Sequence, residues 1–249
     1  MLAAFLAMLL GQAVASQAVA VPDVTRLTVS SPRRVIDIDA GKLGGDPAQL
    51  SWGPDQTLYL RMTQSDRWGN ERSRPYLVAL GAPRPAVAPT GEEPAWASSY
   101  WLWKSALLAP GIPRLEIYVE TEKQLKTAVG SVRDPRGNPQ SRADADLQSL
   151  QGVRKTTLKL RGVPIAELTD APFIPGLTFG WAPAPMGMLA YVDGGKHLML
   201  IDRDGRKREA PGAHDVALPA WSPDGRQIAY LQRMNKSKYL LMIADISGQ

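Results

Sequence analysis

The chain contains no cysteine, which excludes disulfides, cysteine-held metal and a lipid-modified N-terminal cysteine. Histidine is scarce as well. His197 and His214 are too few and too separated for a typical metal cage, so both are taken as structural, one before a strand and one in a loop. No Gly-x-Ser-x-Gly elbow and no glycine-rich phosphate loop occurs, which leaves no recognisable nucleophile or nucleotide motif. Charge is absent from residues 1–20, "MLAAFLAMLLGQAVASQAVA". That segment is an apolar run followed by small residues, and Ala13-Val14-Ala15 and Ala18-Val19-Ala20 both fit the small-x-small rule of signal peptidase. The basic residue usual at the start of such a leader is missing. Gly11, Gln12, Ser16 and Gln17 interrupt what would otherwise be a spanning helix, which favours a leader over an anchor. The expectation is a signal peptide over 1–20, cleaved after Ala15 or Ala20, and a periplasmic or secreted chain with no stable membrane insertion.

What is present is globular in character: 249 residues, 44% hydrophobic and 21% charged. Lys and Arg exceed Asp and Glu by 29 to 24. The basic runs, Arg33-Arg34, Arg154-Lys155 and Arg206-Lys207-Arg208, are scattered, whereas a nucleic-acid binder gathers them on one face. They read as solvated hairpin ends, and no nucleic-acid partner is expected.

A period of about forty residues organises the rest. Four stretches align on a tryptophan: "LSWGPDQTLYLRM" at Trp52, "PAWASSYWLWKSA" at Trp96, "FGWAPAPMGMLAYVD" at Trp181 and "PAWSPDGRQIAYL" at Trp221. Their spacings are 44, 85 and 40, so the middle interval is read as two periods with a degenerate copy near residue 138. About twenty residues after each tryptophan an alternating strand follows, at 74–80, 114–120, 196–205 and 238–248. A third strand precedes the tryptophan, as in "VPIAELTDAPFIPGLTFGW". "VTRLTVSSPRRVIDIDAG" repeats the Leu-Thr and carries an Asp-Ala-Gly hairpin signal, so it reads as part of a further copy. In Ser222–Gly225, Pro223 presets φ for a turn, Asp224 suits its second corner and Gly225 tolerates positive φ at its exit. Ser222 belongs to that turn and is no nucleophile. Trp221 offers a rigid surface to fill the space between packed sheets.

"PAWSPDGRQIAYL…KYLLMIADISG" closely resembles the WD-like propeller repeat of the TolB C-terminal domain, which also occurs in propellers of prolyl-oligopeptidase-type peptidases. The resemblance covers most of residues 25–249 and weakens at Trp52 and Trp96. It implies an all-β fold, a WD-like β-propeller of about five to six blades, with N-terminal strands completing the last blade. It also implies envelope partners in kind. No counterpart of the α/β domain of TolB or of the hydrolase domain of the peptidases is expected within these 249 residues. Segment 121–155 is polar and is expected to be a degenerate blade or surface insertion, partly helical around 142–151.

Two aromatic groups stand out. "WASSYWLWKS" holds Trp96, Tyr100, Trp101 and Trp103; as a strand it puts Trp101 and Trp103 on one face and Tyr100 on the other. It is either inter-blade packing or an aromatic platform for a sugar or peptide. "TQSDRWGNERSRP" at 63–75 sets Trp68 among charges, with Arg72 nearby, on a hairpin that would project from a rim. "DRDG" at 202–205 echoes the start of a calcium loop, but the later ligands and closing Glu are missing, so it reads as a hairpin turn. No catalytic residue, metal ligand or cofactor emerges. The leading expectation is a non-catalytic, exported propeller that binds a protein partner. The alternatives are a carbohydrate-binding or carbohydrate-active propeller and a shortened relative of peptidase-associated propellers.

Overall fold

A computed structural model describes residues 23–68, 70–123 and 154–248. The expected signal peptide, the copy near 138 and the helix expected at 142–151 lie outside the described residues. The elements in chain order are β1 (Thr28–Val29), β2 (Arg33–Asp39), α1 (Ala40–Leu43), β3 (Asp46–Trp52), β4 (Thr57–Ser65), β5 (Glu71–Ala79), β6 (Val87–Pro89), α2 (Ala95–Lys104), β7 (Ile117–Lys123), β8 (Arg154–Leu160), β9 (Val163–Thr169), β10 (Phe179–Trp181), β11 (Leu189–Val192), β12 (Leu198–Ile201), β13 (Lys207–Glu209), β14 (Val216–Trp221), β15 (Gln227–Arg233) and β16 (Lys238–Ser247).

The fold is all-β. The strands pair antiparallel into four sheets: β3-β4-β5-β6, β7-β8-β9, β10-β11-β12-β13, and β14-β15-β16 with β1 and β2 on the far side of β16. The start of the described chain therefore completes its last sheet, with Thr28 opposite Ser247 and Lys238 opposite Asp39.

Strand alternation sorts the side chains into three cores and fixes the order in which the sheets pack. On β4, Leu58, Leu60 and Met62 face the last sheet, meeting Ala229, Leu231, Leu241 and Ile243. The other face of that last sheet, with Ile228, Tyr230 and Met242, meets Ala190, Val192, Leu198 and Leu200 of the β10–β13 sheet. The reverse face of β10–β13, through Tyr191 and Ile201, meets Ile117, Leu158 and Ile165 of the three-stranded sheet. The run of five buried residues from Ile228 to Gln232 follows from β15 being packed on both faces.

Trp52, Trp181 and Trp221 occupy one equivalent place, the last residue of the first strand of a sheet, and each is at most 2% exposed. The turn after Trp221 has the expected chemistry. The Gly225 N–H donates to the Ser222 carbonyl at 2.9 Å with Gly225 at φ 70°, and the Ser222 hydroxyl donates to Asp224. Burial works to raise the Asp224 pKa, but the Ser222 hydroxyl and the Arg226 N–H and charge outweigh it and hold the carboxyl below its ordinary value.

Several expectations are corrected. Trp96 and the aromatic stretch after it form a helix, α2, not a strand. "AWASSYWLWK" contains no β-branched residue, glycine or proline, so nothing in it opposes a helix, and the tryptophan spacing does not impose a strand. The Asp-Ala-Gly signal is a helix start: Asp39 caps α1 by accepting the Lys42 N–H, and no hairpin forms there. The described residues form four sheets, not five or six, because the 85-residue interval holds α2 and a single sheet. Its extra length lies in the 124–153 connection between β7 and β8, which pair as neighbours with Lys123 opposite Arg154. Residues 121–123 and 154–155, counted in the insertion, belong to these strands.

Candidate functional site

Helix α2 lies against β3 and β10, reaches the end of β14 through Tyr100, and buries one stripe, Ala97, Tyr100 and Lys104. Its polar partners on β3 are Gln49 and Ser51, which both donate to the Ala97 carbonyl, at 3.3 and 3.1 Å. Glu93, just before the helix, accepts from Gln49 and Ser98 and pairs with Arg61 at 3.7 Å, a favourable place for an anion. Trp96 stands edge-on to Tyr59, with centroids 6.4 Å apart, and covers Gly53. Burial, with the Glu93 charge adding to it, pushes the Tyr59 hydroxyl up to about 12.

Tyr100, Trp101 and Trp103 all pack into the fold. Tyr100 is buried, and its hydroxyl donates to the Trp221 carbonyl at 2.6 Å. Trp101 is half-buried over Gly176, whose φ of +76° and lack of a Cβ make room for the ring. Trp103 is half-buried, meets the Tyr100 ring edge-on at 4.7 Å, and packs against two separate cores, those at opposite ends of the sheet stack.

Lys104 was not singled out by the sequence. It is fully buried, donates to the Leu50 carbonyl at 3.1 Å, and lies 5.0 Å from the Trp101 ring centroid. Its stem passes Gly180, where a Cβ would come within 2.9 Å of two Lys104 carbons. Burial holds its pKa well below the usual lysine value. The signal is present in the sequence, seven residues after Ala97, but becomes visible only when 95–104 is read as a helix.

His197 lies 3.7 Å from Asp193, and His214 meets the Gln232 amide. "DRDG" is the hairpin turn expected. The Asp202 carboxylate, fully buried, accepts from Arg206, from the Asp204 and Arg206 N–H groups, and from the Val24 N–H, which ties the start of the described chain to the β12–β13 turn. Among the described residues no group of three or more metal-ligating side chains occurs. No described helix is long and apolar enough to cross a membrane.

The remaining candidates, Trp68 and Arg72, lie on the β4–β5 hairpin. β3 pairs with β4 only as far as Thr63, while β4 and β5 continue to Ser65 and Glu71, so the tip extends past the three-strand ladder. Asp66 builds the tip by accepting the Trp68 and Asn70 N–H groups, at 2.8 and 3.0 Å, and the Asn70 amide. Trp68 is 75% exposed on this hydrogen-bonded frame, with the Arg67 guanidinium 4.8 Å above its ring. Arg72 is exposed, opposite Gln64. At the base of the hairpin lies an open cleft of about 550 Å³, lined by Gly45, Thr63, Gln64, Ser65, Lys236 and Ser237. The hairpin thus presents an exposed aromatic on a hydrogen-bonded turn beside a cleft.

Comparison with protein-family models and with curated proteins finds no match.

Proposed function

We propose that this chain is an exported, TolB-like β-propeller acting as a non-catalytic protein-binding module in a bacterial cell envelope. The single observation that carries the binding role is Trp68, 75% exposed on a tip whose backbone Asp66 fixes. A large rigid side chain presented this way loses little entropy on docking, and such tryptophans are common binding anchors.

The propeller reading is supported by the face-to-face order of the sheets and by the N-terminal strands pairing with β16. Trp103 supports it too, since it joins the cores at the two ends of the stack. Export is supported by the uncharged, small-residue pattern of residues 1–20. The carbohydrate alternative draws on the Trp-rich stretch and the basic loops; the half-buried packing of Trp101 and Trp103 speaks against the platform part of it.

Chemical cross-linking of the purified chain in envelope extracts tests the proposal. It should trap a discrete protein partner, and Trp68→Ala should reduce the yield while leaving the thermal midpoint unchanged. No specific partner, or equal trapping by Trp68→Ala, would overturn it.

A further inference from the structure

Charge is spread unevenly along the chain. It makes up 21% of all residues, yet residues 95–113 and 171–191 hold a single charged side chain, Lys104, and that one is buried. The fold lays these two segments side by side. Trp101 covers Gly176, the Trp181 indole N–H donates to the Ala106 carbonyl at 2.8 Å, Gly111 packs against Ala184, and Ile112 covers Gly187. The seam runs in step from the last turn of α2 to the β10–β11 turn. On these segments Leu102 is 72% exposed, Leu107 52%, Leu108 56% and Ile174 37%, half of the large apolar side chains exposed among the described residues. Charges of both signs border the segments, Glu93 and Arg114 on one, Asp170 and Asp193 on the other, and Glu116 stands opposite Leu108.

We propose that this charge-free surface is an interface through which two copies of the chain associate. Depletion of charge around exposed apolar side chains is the mark of an interface core. The surface that covers it must be charge-free as well, because a charge buried there would find no counter-charge. The chain itself supplies such a surface. Under two-fold symmetry the same segments face each other, leucines against leucines, and two-fold pairs are the commonest oligomers. A net charge of +5 works against contact between copies elsewhere, and this face brings none of that charge together. A face that binds an anionic bilayer is bordered by Lys and Arg, which the mixed borders here do not provide. The pairing goes beyond the partner-binding role, since the Trp68 hairpin contributes no residue to it and a pair presents two such hairpins.

Light scattering on the purified chain across about 1–200 μM tests the interface. The mass should rise toward that of two chains, and the thermal midpoint should rise with concentration. Leu102→Asp and Leu107→Asp should each weaken association by about tenfold or more while keeping the far-ultraviolet spectrum of the wild type. Val163→Asp, at a position 64% exposed on β9 outside these segments, should associate like the wild type. A single-chain mass at every concentration, association unchanged in both leucine variants, or equal loss in Val163→Asp would overturn the interface. So would binding to phosphatidylglycerol vesicles without self-association. A chain that stays single yet cross-links to an envelope partner through Trp68 removes the interface and leaves partner binding standing.

Discussion

Lys104 gives the sharpest physical test of how α2 is seated. Its amine is fully buried with a carbonyl and an aromatic face for company, and no carboxylate pairs with it among the described residues. Burial lowers its pKa well below the ordinary 10.5, so the folded chain holds fewer protons at this site than the unfolded chain. Stability then rises as pH increases through the window between the lowered pKa and 10.5, and is level below that window. The slope is at most about 1.4 kcal/mol per pH unit, the value for one full proton of difference. Lys104→Met keeps the length of the stem and removes the amine. It forgoes one hydrogen bond, roughly 1 kcal/mol, and removes a desolvation cost of similar or larger size, so it should be neutral or stabilising at pH 7. Guanidinium titrations of both proteins at pH 7 and pH 9 isolate the effect. That range also stays below the ionisation of Tyr59 and Tyr191, both pushed up to about 12 by burial. The wild type should gain stability relative to Lys104→Met as pH rises. Parallel pH dependence of the two proteins, or a loss of several kcal/mol in Lys104→Met at pH 7, would refute the seating described.

Three further outcomes are expected from denaturant titration. Trp221→Ala removes a fully buried ring at the junction with the β10–β13 sheet and should cost about 3–5 kcal/mol. Gly176→Ala places a Cβ 2.6 Å from the Trp101 ring at a φ of +76° and should destabilise by more than about 1 kcal/mol, with part of the loss recovered in the Gly176→Ala/Trp101→Leu double variant. Asp202→Ala strands the Val24, Asp204 and Arg206 donors and should cost roughly 2–4 kcal/mol, with proteolysis near residues 23–30 read out alongside.

What could be seen in the sequence was set by local chemistry of short range. Pro223, Asp224 and Gly225 specify a turn by themselves, and the alternating strands ending at Thr169 and running from Lys238 form where expected. Trp52, Trp181 and Trp221 kept one place because each closes the first strand of a sheet. Trp96 matches their spacing without sharing their place, because the spacing of one residue type does not fix the conformation of the residues around it. Read as a strand, the segment hides Lys104, since a stripe of Ala97, Tyr100 and Lys104 exists only at helical spacing. The exposure of Trp68 was legible from its charged hairpin, but the cleft was not, because its lining comes from two sheets distant in sequence that meet only by packing.

The central claim is that tryptophans here divide into those that hold the sheets together and one that meets a partner. Affinity for the cross-linked partner and thermal midpoint, measured side by side on Trp68→Ala and Trp103→Ala, test that division most directly. Trp68→Ala should weaken binding by about tenfold or more with an unchanged midpoint, and Trp103→Ala should lower the midpoint by several degrees with affinity intact. The reverse pattern, with Trp103→Ala abolishing binding at full stability and Trp68→Ala leaving affinity unchanged, would contradict the account.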